Sequence, residues 1–310
     1  MSDLKSPLSA RLLAVSALLL PPLFWAGNFI VGRAVRADID PMMLSFGRWV
    51  IALLCLLPFA LGPMRRDWPR YWELRWRVLG VATVGVAAFN SLVYLGLRTT
   101  SAINGLIMNS LIPLFIVLLG AFFYRQKLRL GQQIGLVLSF AGVLILVLRG
   151  QASAWQALTI VPGDTIVLAA MVCWALYTLW LRQFPADLNR VGLMGVQIII
   201  ALIELLPLLL IEQSDGGTTL WSQASLLALL YVGLFPSVLA YLLYTHAVHR
   251  FGPALAGLTI HLMPVYGVIL SFLLLGEQIE LYQAVGIVAI VAGLLCSNFG
   301  GWRRIGPTGR

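Results

Sequence analysis

The chain has 310 residues, of which 60% are hydrophobic and only 11% charged, and it carries a net charge of +9. A soluble domain is about 45–50% apolar and about 25% charged. A globule bathed in water is therefore excluded, and lipid must cover much of this surface.

The first apolar run, 11–32, follows Lys5 and Arg11, as a cleaved leader would. It continues through Phe24, Trp25 and Ile30, however, and has a counterpart at 164–181, so it reads as a helix of the fold. Runs follow at 42–62, 77–97, 103–124 and 131–148, and then at 164–181, 191–211, 224–247, 254–275 and 282–299. Each has 18–24 residues, enough at a rise of about 1.5 Å per residue to cross roughly 30 Å of hydrocarbon. Helices satisfy their backbone hydrogen bonds internally, whereas a barrel would show short alternating segments. The expected fold is an all-α membrane protein of ten transmembrane helices with short connections.

The +9 charge is partitioned by side rather than gathered into a nucleic-acid surface. With the N-terminus in the cytoplasm, sixteen Lys and Arg residues fall on the inner side and four on the outer, with Arg48 inside a helix. The bias places both termini in the cytoplasm. Cys55, Cys173 and Cys296 lie in apolar runs and far apart, which predicts neither disulfides nor a metal site. His246 and His249 stand three apart without a third ligand, so no metal is expected there either. No cofactor is implied. Glycine runs such as GVATVG lack the Lys-Ser/Thr of a phosphate loop.

The chain nearly repeats itself. RWVIALLCLLP at 48–58 matches QIIIALIELLP at 197–207, and LIPLFIVLL at 111–119 matches LMPVYGVIL at 262–270. Helices one and two match six and seven at an offset of 149, pairing Trp25 with Trp174, Arg48 with Gln197 and Pro58 with Pro207. Helices four and five match nine and ten at an offset of 151, pairing Pro113 with Pro264, Gly135 with Gly286 and Gly142 with Gly293. The two-residue change falls among the third and eighth helices and their loops, where the alignment is undetermined. Five helices per copy is odd, so the second copy lies inverted in the bilayer. Residues 1–150 and 151–310 are the two expected units, an arrangement that suits alternating access.

Ionisable groups inside a membrane cost several kcal/mol unless they meet a partner or water. Arg48 lies about 9 Å from the outer edge and Glu204 about 10 Å from it, so the two either pair or line a wet cavity, unless each snorkels or is hydrogen-bonded separately. Pro113 and Pro264 each free a carbonyl four residues back, beside Asn109 and Ser110 in one copy and beside His261 in the other. Polar groups at a helix break near the midplane suit a substrate site, although helix–helix hydrogen bonding would use the same groups. Trp68, Trp72, Trp76 and Trp302 read as an interfacial belt. Deeper aromatics lie beside amides: Trp25 with Asn28, Trp174 with Tyr177, Asn90 with Tyr94, and Tyr244. Such surfaces suit a small zwitterion with an apolar side chain, and equally suit packing between helices.

The stretches TSAINGLIMNSLIPLFIVLLGAFFYRQKLRLGQQIGLVLSFAGVLIL and HRFGPALAGLTIHLMPVYGVILSFLLLGEQIELYQAVGIVAIVAGLL resemble the two copies of the EamA-type repeat of the drug/metabolite transporter superfamily. Pro264 with Gly276-Glu277 fits the family pattern, whereas the first copy departs with Arg125-Gln126. Within the superfamily the chain most resembles the YddG-type exporters of aromatic and other neutral amino acids. The resemblance implies a secondary exporter in a bacterial inner membrane, acting on a small metabolite as a monomer or weak homodimer. A drug or nucleotide-sugar carrier of the same superfamily is the alternative. The first helix lacks the glutamate that small multidrug members need. An intramembrane lipid-modifying enzyme would need a catalytic set that one buried glutamate and one deep histidine do not make.

Overall fold

In the computed structural model the described residues are 8–35, 37–96, 98–100, 102–151, 161–217, 219–275 and 278–298. All their regular structure is helical, and no strand occurs among them. The first half runs α1 (Leu8–Ala34), α2 (Pro41–Arg66), α3 (Trp68–Glu73), α4 (Arg75–Val81), a π-helical segment (Ala82–Ala88), α5 (Phe89–Gly96), α6 (Ala102–Asn109), α7 (Ile112–Tyr124) and α8 (Leu130–Val147). The second half runs α9 (Pro162–Leu181), α10 (Arg190–Ser214), α11 (Gln223–Val232), a second π-helical segment (Gly233–Leu239) and α12 (Ala240–Phe251). It ends with α13 (Pro253–Leu258), a 3₁₀ turn (Thr259–His261), α14 (Leu262–Leu275) and α15 (Leu281–Asn298). Eight helical spans among the described residues are long and apolar enough to cross a membrane. Shorter apolar stretches at Leu12–Asn28 and Leu281–Ser297 occupy the first and last places of the expected ten.

Local chemistry sets the ends of these helices. Proline at the first turn opens α2 and α9, where its missing N–H removes no intrahelical bond. The Asn189 side chain caps α10 by accepting from the N–H groups of Val191 and Gly192, both at 3.0 Å. Gly252, at φ +89°, turns the chain between α12 and α13 in a conformation that side-chain-bearing residues rarely adopt.

The outward faces are apolar, with Phe59 72% and Phe122 78% exposed. In water such a surface would aggregate, and in lipid it is the solvated face. Trp68, Trp72 and Trp76 are exposed as a belt requires, and the Arg75 guanidinium lies 5.7 Å from the ring centres of both Trp72 and Trp76. Trp302 and the Gly276-Glu277 pair fall outside the described residues.

The two π segments settle the alignment that the sequence leaves open. Ala82–Ala88 and Gly233–Leu239 are both seven residues long and stand 151 apart, so α5 matches the start of α12 and Asn90 matches Tyr241. The two extra residues therefore precede the third helix of the second half.

Equivalent residues meet one another. Trp25 and Trp174 pack edge to face with ring centres 5.0 Å apart. The Asn90 amide donates to the Tyr241 hydroxyl at 3.1 Å. The Ser110 carbonyl receives the His261 Nε2 hydrogen at 2.9 Å. A residue touches its own equivalent only on a two-fold axis. Off the axis the contacts exchange partners. A Cβ placed on Gly135 would stand 2.4 Å from the Gly293 oxygen, and one on Gly142 would stand 2.7 Å from the Gly286 oxygen. Gly135 corresponds to Gly286 and Gly142 to Gly293, so one contact maps onto the other. The order of the two contacts also shows that α8 and α15 run antiparallel, with only glycine permitting so close an approach.

Candidate functional site

A cavity of about 30 Å³ lies on this axis. Four pairs of equivalents line it: Trp25 with Trp174, Asn90 with Tyr241, Asn109 with Ile260, and Ile112 with Met263. Asn28, Arg48, Phe89, Val93 and Tyr94 complete the wall. The free space among these side chains is small in this conformation.

The π segments place the polar wall. A π turn shifts the backbone hydrogen-bond register and leaves carbonyls for other donors. Here the Gly85 carbonyl accepts from the Tyr241 hydroxyl at 2.8 Å, and the Pro236 carbonyl accepts from Trp25 Nε1 at 3.1 Å. Gly85 and Pro236 are themselves equivalents. Gly85 also lets the Tyr177 ring in, since a Cβ there would stand 2.1 Å from that ring.

Arg48 is 1% exposed. Its Nε donates to Ser237 Oγ at 2.8 Å, and its Nη1 donates to Asn90 Oδ1 at 3.0 Å and to the Tyr94 hydroxyl at 2.8 Å. Its guanidinium carbon lies 5.2 Å from the Trp49 ring centre. Each acceptor passes its own hydrogen onward. Ser237 donates to the Val232 carbonyl at 2.7 Å, Tyr94 to Asn28 Oδ1 at 3.5 Å, and Asn90 to the Val86 carbonyl at 3.2 Å.

The expected pairing of Arg48 with Glu204 is not formed in this conformation. Glu204 instead accepts from Thr83 Oγ1 at 2.6 Å, in the first π segment, and its Oε2 is buried without a hydrogen-bond partner. Similar depth from the membrane edge did not bring the two together, because α2 and α10 present them to different neighbours.

Six of the ten expected binding residues line the cavity: Trp25, Asn28, Asn90, Tyr94, Asn109 and Trp174. Four stand behind it. Tyr177 and Tyr244 are buried under Trp174, with ring centres 5.2 and 5.4 Å from it, and the Tyr244 hydroxyl lies 2.9 Å from Thr178 Oγ1. His261 turns away toward α8, its Nδ1 2.8 Å from Ser139 Oγ and its Nε2 on the Ser110 carbonyl. The chain does break at both expected places. Ser110 N–H and Leu111 N–H bond back to the Ile107 and Met108 carbonyls at 3.1 and 2.9 Å, and Thr259–His261 is a 3₁₀ turn. His261 thus joins one break to the other, while the Asn109 amide beside them reaches Met263 Sδ at 3.4 Å.

Sequence reasoning missed Tyr241, Phe89, Met263 and Ser237. Carrying the offset of 151 back into the third helix would have found Tyr241 from Asn90. No group of three or more His, Cys, Asp or Glu side chains is arranged to hold a metal ion among the described residues.

The profile of the EamA-like transporter family matches residues 12–148 and 161–299, one match in each half. The chain is 28% identical over 258 residues to the uncharacterized transporter YyaM of Bacillus subtilis (strain 168), covering 82% of each chain. It is 27% identical over 293 residues to a protein named "Probable terminal-alkyne amino-acid exporter" from Streptantibioticus cattleyicolor, covering 92% of this chain and 93% of that one. It is 25% identical over 298 residues to the "Probable amino-acid metabolite efflux pump" of Escherichia coli (strain K12), covering 92% and 95%. A solved crystal structure with 21% sequence identity superposes with a TM-score of 0.72 over 96% of this chain and 100% of the other, a likeness of fold.

Proposed function

The chain belongs to the EamA-like transporter family, and from that premise we propose that it exports small neutral amino acids, aromatic ones among them, by alternating access. The two units, 1–150 and 151–310, cross a bacterial inner membrane five times each, in opposite senses, with both termini in the cytoplasm. The observation that carries this reading is the cavity on the two-fold axis, walled by aromatic rings and amides. In a transporter built of inverted repeats, loading and release open such a cavity first to one side of the membrane and then to the other. Trp25, Trp174 and Phe89 offer ring faces to an apolar side chain, and Asn28, Asn90, Tyr94 and Asn109 offer polar contacts. Exporters of amino acids among the named relatives support the substrate class. Glu204, with one oxygen free of hydrogen bonds, is the carboxylate available for coupling to protons.

The test is counterflow in proteoliposomes of labelled phenylalanine, tryptophan, leucine and methionine, with and without a pH gradient. The expected result is exchange of at least one of them, reduced about tenfold or more in Trp25→Ala and Trp174→Ala. Uptake of none of the amino acids, alongside uptake of a drug or nucleotide-sugar, would overturn the substrate class.

A further inference from the structure

We propose that Arg48 is the anchor for a substrate carboxylate, so that the cavity accepts solutes bearing a free carboxylate and rejects their amides and decarboxylated amines. The proposal rests on the transport reading and narrows its substrate chemistry.

The first ground is charge. Arg48 is fully charged in any protein environment, and it is buried where an unpaired cation is costly. All three side chains that accept from it, Ser237, Asn90 and Tyr94, are neutral. Each is committed as a donor elsewhere, so the network supplies dipoles and no counter-charge. No carboxylate lines the cavity among the described residues. The deep carboxylates of α10 hydrogen-bond other groups, Glu204 through one oxygen only. Glu204 is held by Thr83, and Glu212 bonds Arg98 and the N–H groups of Met42 and Met43 at the start of α2. A solute carboxylate would supply that counter-charge.

The second ground is valence. A guanidinium has five N–H donors. Nε uses one and Nη1 uses both of its own, on Asn90 and Tyr94. Nη2 donates to no described residue, so two hydrogens of a charged group remain unfilled. Unfilled donors on a buried cation are where a carboxylate oxygen gains a charge-assisted hydrogen bond. The bonds to Ser237, Asn90 and Tyr94 fix the plane of the group in advance, which lowers the ordering cost of binding.

The third ground is the broken symmetry. The equivalent of Arg48 is Gln197, also buried, on the opposite side of the axis, and its Oε1 has no hydrogen-bond partner. The equivalent of Ser237 is Val86, which offers no side-chain acceptor. Charge therefore sits on one side of the axis, and it orients the solute. A helix brace would be served as well by a neutral side chain and would need no cation.

The experiment uses the purified wild-type chain with two readouts. In proteoliposomes, the amino acid with the largest counterflow competes against its own unlabelled carboxamide, its decarboxylated amine and its deaminated acid. In detergent, the same four compounds are scored by the rise in melting temperature. The expected result is competition and thermal stabilisation by the two carboxylates, with the amide and amine at least tenfold weaker. Arg48→Lys should keep transport with a KM raised about tenfold, and Arg48→Gln should lose the preference for acid over amide. The wild-type series decides the matter where a variant does not fold. Equal competition by amide and acid overturns the anchor and leaves transport standing. A thermal response that is flat for both carboxylates overturns the anchor whatever the transport result. Absent counterflow with carboxylate-selective stabilisation supports the anchor and removes the amino acid transport reading.

Discussion

Asp67 sits just past the end of α2, where its carboxylate accepts from Arg66 Nε at 2.8 Å and from the Asn189 backbone N–H at 3.2 Å. The Arg66 hydrogen bond holds the Asp67 carboxyl below the usual carboxylate range, with the Asn189 N–H acting in the same direction against burial. A carboxyl whose folded pKa is depressed contributes stability above its unfolded value of about 3.9, and that stability is lost as pH falls through the folded value. Asp67→Asn should therefore melt earlier than the wild type at pH 7, with the gap closing below about pH 4, as read by thermal melts in detergent across pH 3–7. A gap that persists unchanged at pH 3 would assign the effect to something other than the charge. At this scale the sequence was informative wherever a polar or aromatic type stood out against apolar surroundings, as Trp25, Asn90 and Arg48 do. It was silent on direction. Tyr177 and His261 are of the right type at the right depth, yet they face neighbouring helices, because rotation about a helix axis is set by packing that no single run of residues records.

Glycine decides how closely α8 and α15 approach. Gly135, Gly142, Gly286 and Gly293 each bring a backbone carbonyl of the partner helix within 3.0 Å of where a Cβ would be. Overpacking such a contact costs about 1–3 kcal/mol. Gly142→Leu should lower the melting temperature and broaden the size-exclusion peak, while Gly62→Leu, at a position with nothing within 4 Å, should leave both unchanged. Equal behaviour of the two variants would contradict the close contact. The helices themselves were legible, since long apolar runs with few charges have few alternatives in lipid. The π segments were not. A shift from i→i+4 to i→i+5 bonding changes no hydrophobic pattern, and the one local hint, Pro236 inside a helix, has only Gly85 opposite it in the first half. That gap kept Tyr241 hidden, although its equivalent Asn90 was singled out.

The whole molecule is two copies of one helical unit related by a two-fold axis that passes through the cavity. The repeat was readable from prolines and glycines that recur at a fixed offset, and the helices it relates do pack as equivalents. Its course at the third and eighth helices, and the shape of the cavity, come from packing between the halves and leave no trace in either half alone. The sharpest consequence concerns two exposed alanines, Ala37 in RADID and Ala186 in PADLN, which stand 149 residues apart in matching turns. Equivalent turns of inverted units must face opposite sides of the bilayer. Single cysteines at these positions, Ala37→Cys and Ala186→Cys, in a chain freed of Cys55, Cys173 and Cys296, can be reacted with a membrane-impermeant maleimide on intact cells and again after permeabilisation. The prediction is that position 37 labels on intact cells and position 186 only once the membrane is opened. Labelling of both positions under the same condition would contradict the inverted two-fold and the alternating cavity built on it.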